Sequence, residues 1–194
     1  MEIDQKWVVV RIDGKIAAIS TDYISLTAVA ARLAQQKSIS STHVCADTVS
    51  FDEVWTLRQT ARWDDLVLFG TEFQKKVWRK LFELTHDHNG QPLTPKMICY
   101  SDFAELCQNK AGVRAVAHAL SLNPIPVVIP CHLVVPKETI DKIRDIRKSA
   151  ESTIFKGEDL CINSLLRKKG IDFGEYALGR KIKKELIQLE HAQQ

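Results

Sequence analysis

The chain has 194 residues, 45% of them hydrophobic, with 27 Lys and Arg against 24 Asp and Glu for a formal net charge of +3. That supplies enough apolar material for a core in one domain, or in one main domain with a small companion, and the mild basic excess permits a polyanionic partner without requiring one. No apolar run approaches the ~20 residues of a membrane span, and Met1-Glu2-Ile3-Asp4-Gln5-Lys6 lacks a secretory pattern, so no membrane association is expected; the expected setting is cytoplasmic and reducing, nucleoid-associated in a bacterium or nuclear in a eukaryote. Five cysteines, an odd number without CxxC pairing, read as free thiols rather than as a disulfide frame or a zinc site.

Trp7-Val8-Val9-Val10-Arg11-Ile12 and Lys15-Ile16-Ala17-Ala18-Ile19 flank Asp13-Gly14, a pair that favours the type I′ hairpin turn. A helix is expected over about residues 26–36. From 38 to 65 no apolar period is sustained, and residues 1–68 read as a small N-terminal α/β domain serving as scaffold. Thr71-x-x-Gln74 is a capping-box pattern and opens a helix that should bury Phe73, Val77, Leu81 and Leu84, with Trp78 on the same face. Asn89-Gly90, Pro92 and Pro95 make the next segment a loop, in which His86, Asp87 and His88 read as solvated and no metal site is expected.

After Tyr100, Ser101 is expected to cap a helix running to about Asn109 with Phe103, Leu106 and Cys107 inward. Lys110-Ala111-Gly112 makes a turn, and a second helix over 113–122 should bury Val113, Val116 and Leu120 and leave Arg114, Ala117, His118 and Ser121 on the opposite face. Such a helix-turn-helix suits a DNA groove, although short amphipathic helix pairs also serve simply as packing.

The stretch Asn123-Pro-Ile-Pro-Val-Val-Ile-Pro-Cys-His-Leu-Val-Val-Pro136 is the most constrained in the chain. Pro124, Pro126 and Pro130 fix φ and turn their predecessors away from the helical region, so Val127–Ile129 and Leu133–Val135 read as buried, strand-like runs around Cys131-His132. A free cysteine is most often inert, which is the reading for Cys45, Cys99, Cys107 and Cys161. Cys131 differs because the adjacent imidazole can take its proton, and the thiolate is the form that attacks electrophiles. Further on, a charged helix is expected around 140–147. Ile182, Leu186 and Leu189, flanked by Arg180, Lys181, Lys183 and Lys184, suggest a solvated amphipathic cap.

Gly70-Thr71-x-Phe73-Gln74-x-x-Val77-Trp78, Tyr100, Arg114-Ala115-Val116, Asn123-Pro124 and Ile129-Pro130-Cys131-His132-x-Val134-Val135 occur in an order and spacing that resemble the 6-O-methylguanine-DNA methyltransferases. The resemblance implies an α/β protein with a hairpin-containing N-terminal domain and a mainly helical C-terminal DNA-binding domain, 69–194, holding the helix-turn-helix. It implies direct-reversal repair, in which Cys131 takes an alkyl group from a guanine flipped out of duplex DNA and is consumed, because the thioether has no good leaving group. His132 would be the base, Tyr100 would support the departing guanine, Asn123 would be the pocket asparagine, and Arg114 would fill the gap in the duplex, with Ala115, His118 and Ser121 on the DNA-facing helix. A monomer working without a cofactor is expected. The chain departs from the family pattern at Leu133, where arginine is usual, at Ala117-His118, where small glycines are usual, and in a charged insertion between Pro136 and Phe155. Lys169 falls where a glutamate usually orients the histidine, which leaves three readings open: slower transfer, a lysine that favours the thiolate by its charge, or Glu158 or Glu175 reaching the position instead. A non-repairing lesion sensor and a thiol-sensing DNA-binding regulator remain alternatives.

Overall fold

The computed structural model describes residues 2–21, 43–86, 97–152 and 171–192. The helix expected over 26–36, and Asp87, His88, Glu158, Cys161 and Lys169, lie outside them.

Strands β1 (Trp7–Ile12) and β2 (Lys15–Ser20) form the expected hairpin, and Asp13 and Gly14 at its tip have φ of 49° and 81°, the two positive values that a type I′ turn demands. β3 (Val44–Val49) pairs antiparallel with the other side of β1, giving the order β2-β1-β3. It is a largely solvated edge strand, so it carries no buried alternation for a sequence reading to detect. Helix α1 (Phe51–Thr60) follows at once, started by Ser50, whose hydroxyl accepts from Glu53 N at 3.3 Å while the Glu53 carboxylate accepts from Ser50 N at 2.8 Å.

Helix α2 (Glu72–Thr85) has the predicted Thr71/Gln74 capping box, but its buried face is Val77, Trp78, Leu81, Phe82 and Thr85. Phe73 and Leu84, expected inward, are each 37% exposed. The reason is Trp78, which is fully buried, donates Nε1 to Ala119 O at 2.8 Å, and so centres the face on itself. A Cβ added at Gly70 would stand 2.8 Å from Trp78 Cη2 and 2.7 Å from Gln74 Oε1. Gly70→Ala is therefore expected to cost about 1–3 kcal/mol by overpacking. Denaturant unfolding checks this, and an unchanged midpoint would mean that Trp78 is free to move aside.

Strand β4 (Ile98–Cys99) runs into helix α3 (Tyr100–Leu106) without a break. Cys99, tied up in strand pairing, therefore sits at the cap in place of Ser101, which lies inside the helix with its hydroxyl 3.1 Å from Cys99 Sγ. The helix stops at Leu106, which is 42% exposed rather than inward. A 3₁₀ turn, Lys110–Gly112, leads to α4 (Val113–Ser121). β5 (Val134–Val135) pairs parallel with β4, then α5 (Lys137–Ser152) extends the expected charged helix in both directions, and α6 (Arg180–Ala192) closes the described chain. One apolar cluster joins Ile3, Trp7 and Val9 to Trp78, Val116, Ile129 and Leu186. Among the described residues no helix is long and apolar enough to cross a membrane.

Candidate active site

Asn123 holds the proline-rich stretch in shape. Its Nδ2 donates to Ile129 O at 2.8 Å and to Cys131 Sγ at 3.1 Å, and its Oδ1 accepts from Ile125 N at 3.1 Å. The expected strand at Val127–Ile129 is instead a tight turn bridged between Pro126 and Ile129, with Val127 at φ 75°. A β-branched residue is strained there, and complete burial of Val127 and Val128 together with the Asn123 staple holds it. Cys131–Leu133 forms a 3₁₀ turn, and only Val134–Val135 continues as strand. Cys131 thus sits, 7% exposed, on a rigid corner in the wall of a cavity of about 320 Å³. Tyr100, Ala117, Leu120 and Ser121 form one side of that cavity and Glu175 and Tyr176 another. Its size is at the lower end of the ~300–1,000 Å³ typical of small-ligand sites.

Behind the thiol, His132 is completely buried and its Nε2 lies 3.1 Å from Glu190 Oε1. The same oxygen accepts from Arg58 Nε at 3.2 Å. Burial alone would raise the Glu190 carboxyl, but the hydrogen bonds and charges of His132 and Arg58 outweigh it and hold it below its ordinary value. An ionised carboxylate only accepts, so Nε2 carries the proton and Nδ1 is the basic nitrogen; Nδ1 is buried with no hydrogen-bond partner among the described residues. Burial also pushes the imidazole below its ordinary value, with Glu190 working the other way, so His132 is neutral near pH 7.

The tail is corrected most. Helix α6 is no solvated cap, for it supplies both Glu190 and Lys183, the latter completely buried with Nζ donating to Val134 O at 2.8 Å and to Glu175 O at 3.3 Å. Burial lowers the Lys183 ammonium to about 8, with Cys131 opposing. Burial likewise raises the Cys131 thiol, while the Asn123 hydrogen bond and the Lys183 charge pull it down. The two charged forms therefore support one another. Tyr176 meets His132 edge to face, and its hydroxyl lies close enough to Cys131 to lower the thiol without completing a hydrogen bond to it. Burial and the neighbouring Cys131 raise the Tyr100 phenol, so it stays a hydrogen-bond donor.

Lys169 lies outside the described residues; among those described, the carboxylate that meets His132 directly is that of Glu190. Glu175 does not substitute, as its carboxylate pairs with Arg180. His86, read as solvated, is buried, stacked 3.8 Å from the Phe82 ring and 3.0 Å from Arg58 Nη1. The other expected site residues fall into two groups. Tyr100, Asn123, Cys131 and His132 are at the cavity and just behind it, whereas Arg114, Ala115, His118 and Ser121 are exposed along α4. Ser121 and its neighbour Ala117 link the groups by lining the cavity. Sequence reading missed Glu190, Lys183, Tyr176 and Arg58. A signal existed for two of them, because Lys183, Leu186, Ile187 and Glu190 recur at 0, 3, 4 and 7 and so share the buried face of α6. No three His, Cys, Asp or Glu side chains among the described residues are grouped as a metal site.

A cysteine on a rigid corner, open to a cavity and backed by a buried His–Glu pair, is an arrangement suited to a thiol nucleophile. Residues 72–144 match the family model described as the 6-O-methylguanine DNA methyltransferase, DNA binding domain, so that segment is similar to this family. A probable methylated-DNA--protein-cysteine methyltransferase of Acanthamoeba polyphaga mimivirus is 45% identical over 73 residues, which cover 38% of this chain and 44% of that one. The inducible methylated-DNA--protein-cysteine methyltransferase of Bacillus subtilis is 40% identical over 68 residues, 35% of this chain and 34% of that one. The matches thus span less than half the length of these curated relatives. In fold, the chain is similar to the O6-methylguanine-DNA methyltransferase of Pyrococcus kodakaraensis, with a TM-score of 0.54 and 22% identity over 95% of this chain and 91% of that one.

Proposed function

We propose that the chain repairs DNA by taking the alkyl group of a 6-O-alkylguanine onto Cys131 Sγ. The observation that carries this reading is Cys131 in the cavity wall with His132 fixed behind it by Glu190. His132 Nδ1 takes the thiol proton, directly or through a water, and Glu190 offsets the charge of the imidazolium that forms. Sγ attacks the alkyl carbon, a carbon–sulfur bond forms, and the bond to O6 breaks with its electron pair staying on the guanine. Tyr100 donates a hydrogen bond to the departing base. Lys183 favours the thiolate before attack, and Asn123 aims it.

Access requires the base to leave the duplex at a cost of a few kcal/mol. Arg114, exposed in the first turn of α4, is suited to fill the vacated space, with Ala115, His118 and Ser121 along the same DNA-facing helix. In this reading 69–194 holds the chemistry, 1–68 is a companion unit, and the protein acts as a monomer without a cofactor. The thioether has no good leaving group, so each molecule acts once.

Incubation with excess duplex oligonucleotide carrying one 6-O-methylguanine, followed by intact mass and fragmentation, tests this. One methyl per chain, located on the Cys131 peptide, is expected. Tight binding without a mass change would overturn the transferase reading and leave a lesion-binding protein.

A further inference from the structure

Arg58 is a completely buried arginine contributed by α1, far in sequence from the cysteine, and its surroundings are not those of a group kept for stability. Its Nε donates to Glu190 Oε1 at 3.2 Å and its Nη1 to His86 Nε2 at 3.0 Å, but Nη2 is buried with no hydrogen-bond partner among the described residues. A buried cation with a wasted donor is a net cost that an apolar side chain of similar size would avoid. What the cost obtains is visible at Glu190. That carboxylate is shared between Arg58 and His132, so the guanidinium both neutralises it in the interior and holds it where the imidazole needs it.

His86 completes the chain of contacts. Its Nδ1 lies 3.1 Å from Phe82 O, to which it donates, so Nε2 is the acceptor for Arg58. Stacking on Phe82 fixes the ring. Burial first, and then the Arg58 charge, keep His86 below its ordinary value and therefore neutral. The groups facing Glu190 are thus Arg58 from α1, His132 from the 3₁₀ turn, His86 after α2 and Tyr176 from the loop before α6.

Resting on the transferase reading, we propose that Arg58 is a positioning residue: through His86–Arg58–Glu190–His132, the N-terminal part of the chain keeps Glu190 ionised and so keeps His132 able to take the proton of Cys131.

The test follows alkylation of Cys131 by iodoacetamide against pH, read on the Cys131 peptide by mass spectrometry, beside methyl transfer from the duplex oligonucleotide. In wild type Glu190 titrates below its ordinary 4.5 and contributes no inflection above it. In Arg58→Met the Glu190 carboxyl loses the Arg58 charge and hydrogen bond that help offset burial, so it takes up a proton at higher pH than in wild type. An additional inflection on the acid side of the profile is then expected, with both rates down roughly tenfold or more and DNA affinity unchanged. Arg58→Lys, which keeps the charge, should remove the inflection and restore part of the rate. A folded Arg58→Met with the wild-type pH profile would overturn the proposal. So would Arg58→Lys at full rate alongside an unfolded Arg58→Met, or failure of both variants to fold, since each assigns Arg58 to the framework alone. Absence of methyl transfer by wild type would sink the transferase reading separately, because the iodoacetamide profile does not depend on DNA.

Discussion

Glu190→Gln is expected to slow methyl transfer to Cys131 by about 10²-fold or more, within the ~10²–10⁴-fold range of general-base assistance. The amide matches the carboxylate in shape and can still accept from His132 Nε2, so the change removes charge while leaving the contact. Two effects follow. The imidazolium formed when His132 takes the thiol proton loses the carboxylate that meets its Nε2. His132, which burial already holds below its ordinary 6.5, loses the partner that raises it. The acid limb of the rate profile, where His132 becomes protonated and stops acting as base, therefore moves to lower pH, while the plateau above it drops. A variant with the wild-type plateau would show that Cys131 ionises without His132.

The same substitution leaves Arg58 as a buried charge without its counter-ion, which typically costs about 3–5 kcal/mol. Adding Arg58→Met removes that unpaired charge. The double variant is expected to regain most of the thermal stability and none of the rate, which separates the chemical role of Glu190 from its part in the fold.

The catalytic corner was legible because its constraints are local. Three prolines, an apolar flank and an adjacent Cys131-His132 speak through backbone chemistry, which a sequence displays directly. The capping box at Thr71 and the Asp13-Gly14 turn are legible for the same reason, whereas the one at Ser50 goes unread in a stretch without a sustained apolar period. What failed was long-range. Nothing local reveals that Arg58 on α1 meets Glu190 on α6, because two residues 132 apart in sequence become partners only after the core has formed. Charged side chains go to solvent by default, so Lys183 reads as surface and Glu190 is passed over even though their spacing puts them on the apolar face of α6. His86 was misjudged similarly: a polar residue beside a loop is usually exposed, but here Phe82 and Arg58 enclose it. Burial of charge is the feature that single-sequence reasoning handles worst, and it is where this site keeps much of its machinery.

Trp78→Ala is the second large effect, and it acts on stability. Removing a fully buried tryptophan typically costs about 3–5 kcal/mol through lost burial and the cavity left behind. Here the indole also donates Nε1 to Ala119 O at 2.8 Å, and Ala119 lies in the last turn of α4. The same carbonyl accepts from Leu122 N at 3.3 Å where the helix ends, so the indole contact fixes the end of α4 against α2 as well as filling the core. Because a domain is stable by only about 5–15 kcal/mol, Trp78→Ala should lose a large share of its stability, read as a marked fall in the unfolding midpoint followed by circular dichroism in denaturant. Trp78→Phe keeps most of the apolar area and loses the donor, so it should remain folded with about 1–2 kcal/mol less stability. The consequence for the site lies in α4 itself, since one face of that helix carries Arg114 and His118 while Ala117, Leu120 and Ser121 wall the cavity beside Cys131. If the indole sets the distance between the DNA-facing helix and the thiol, Trp78→Phe should lose more rate on duplex substrate than on the free alkylated base. Equal losses on both would confine Trp78 to the core.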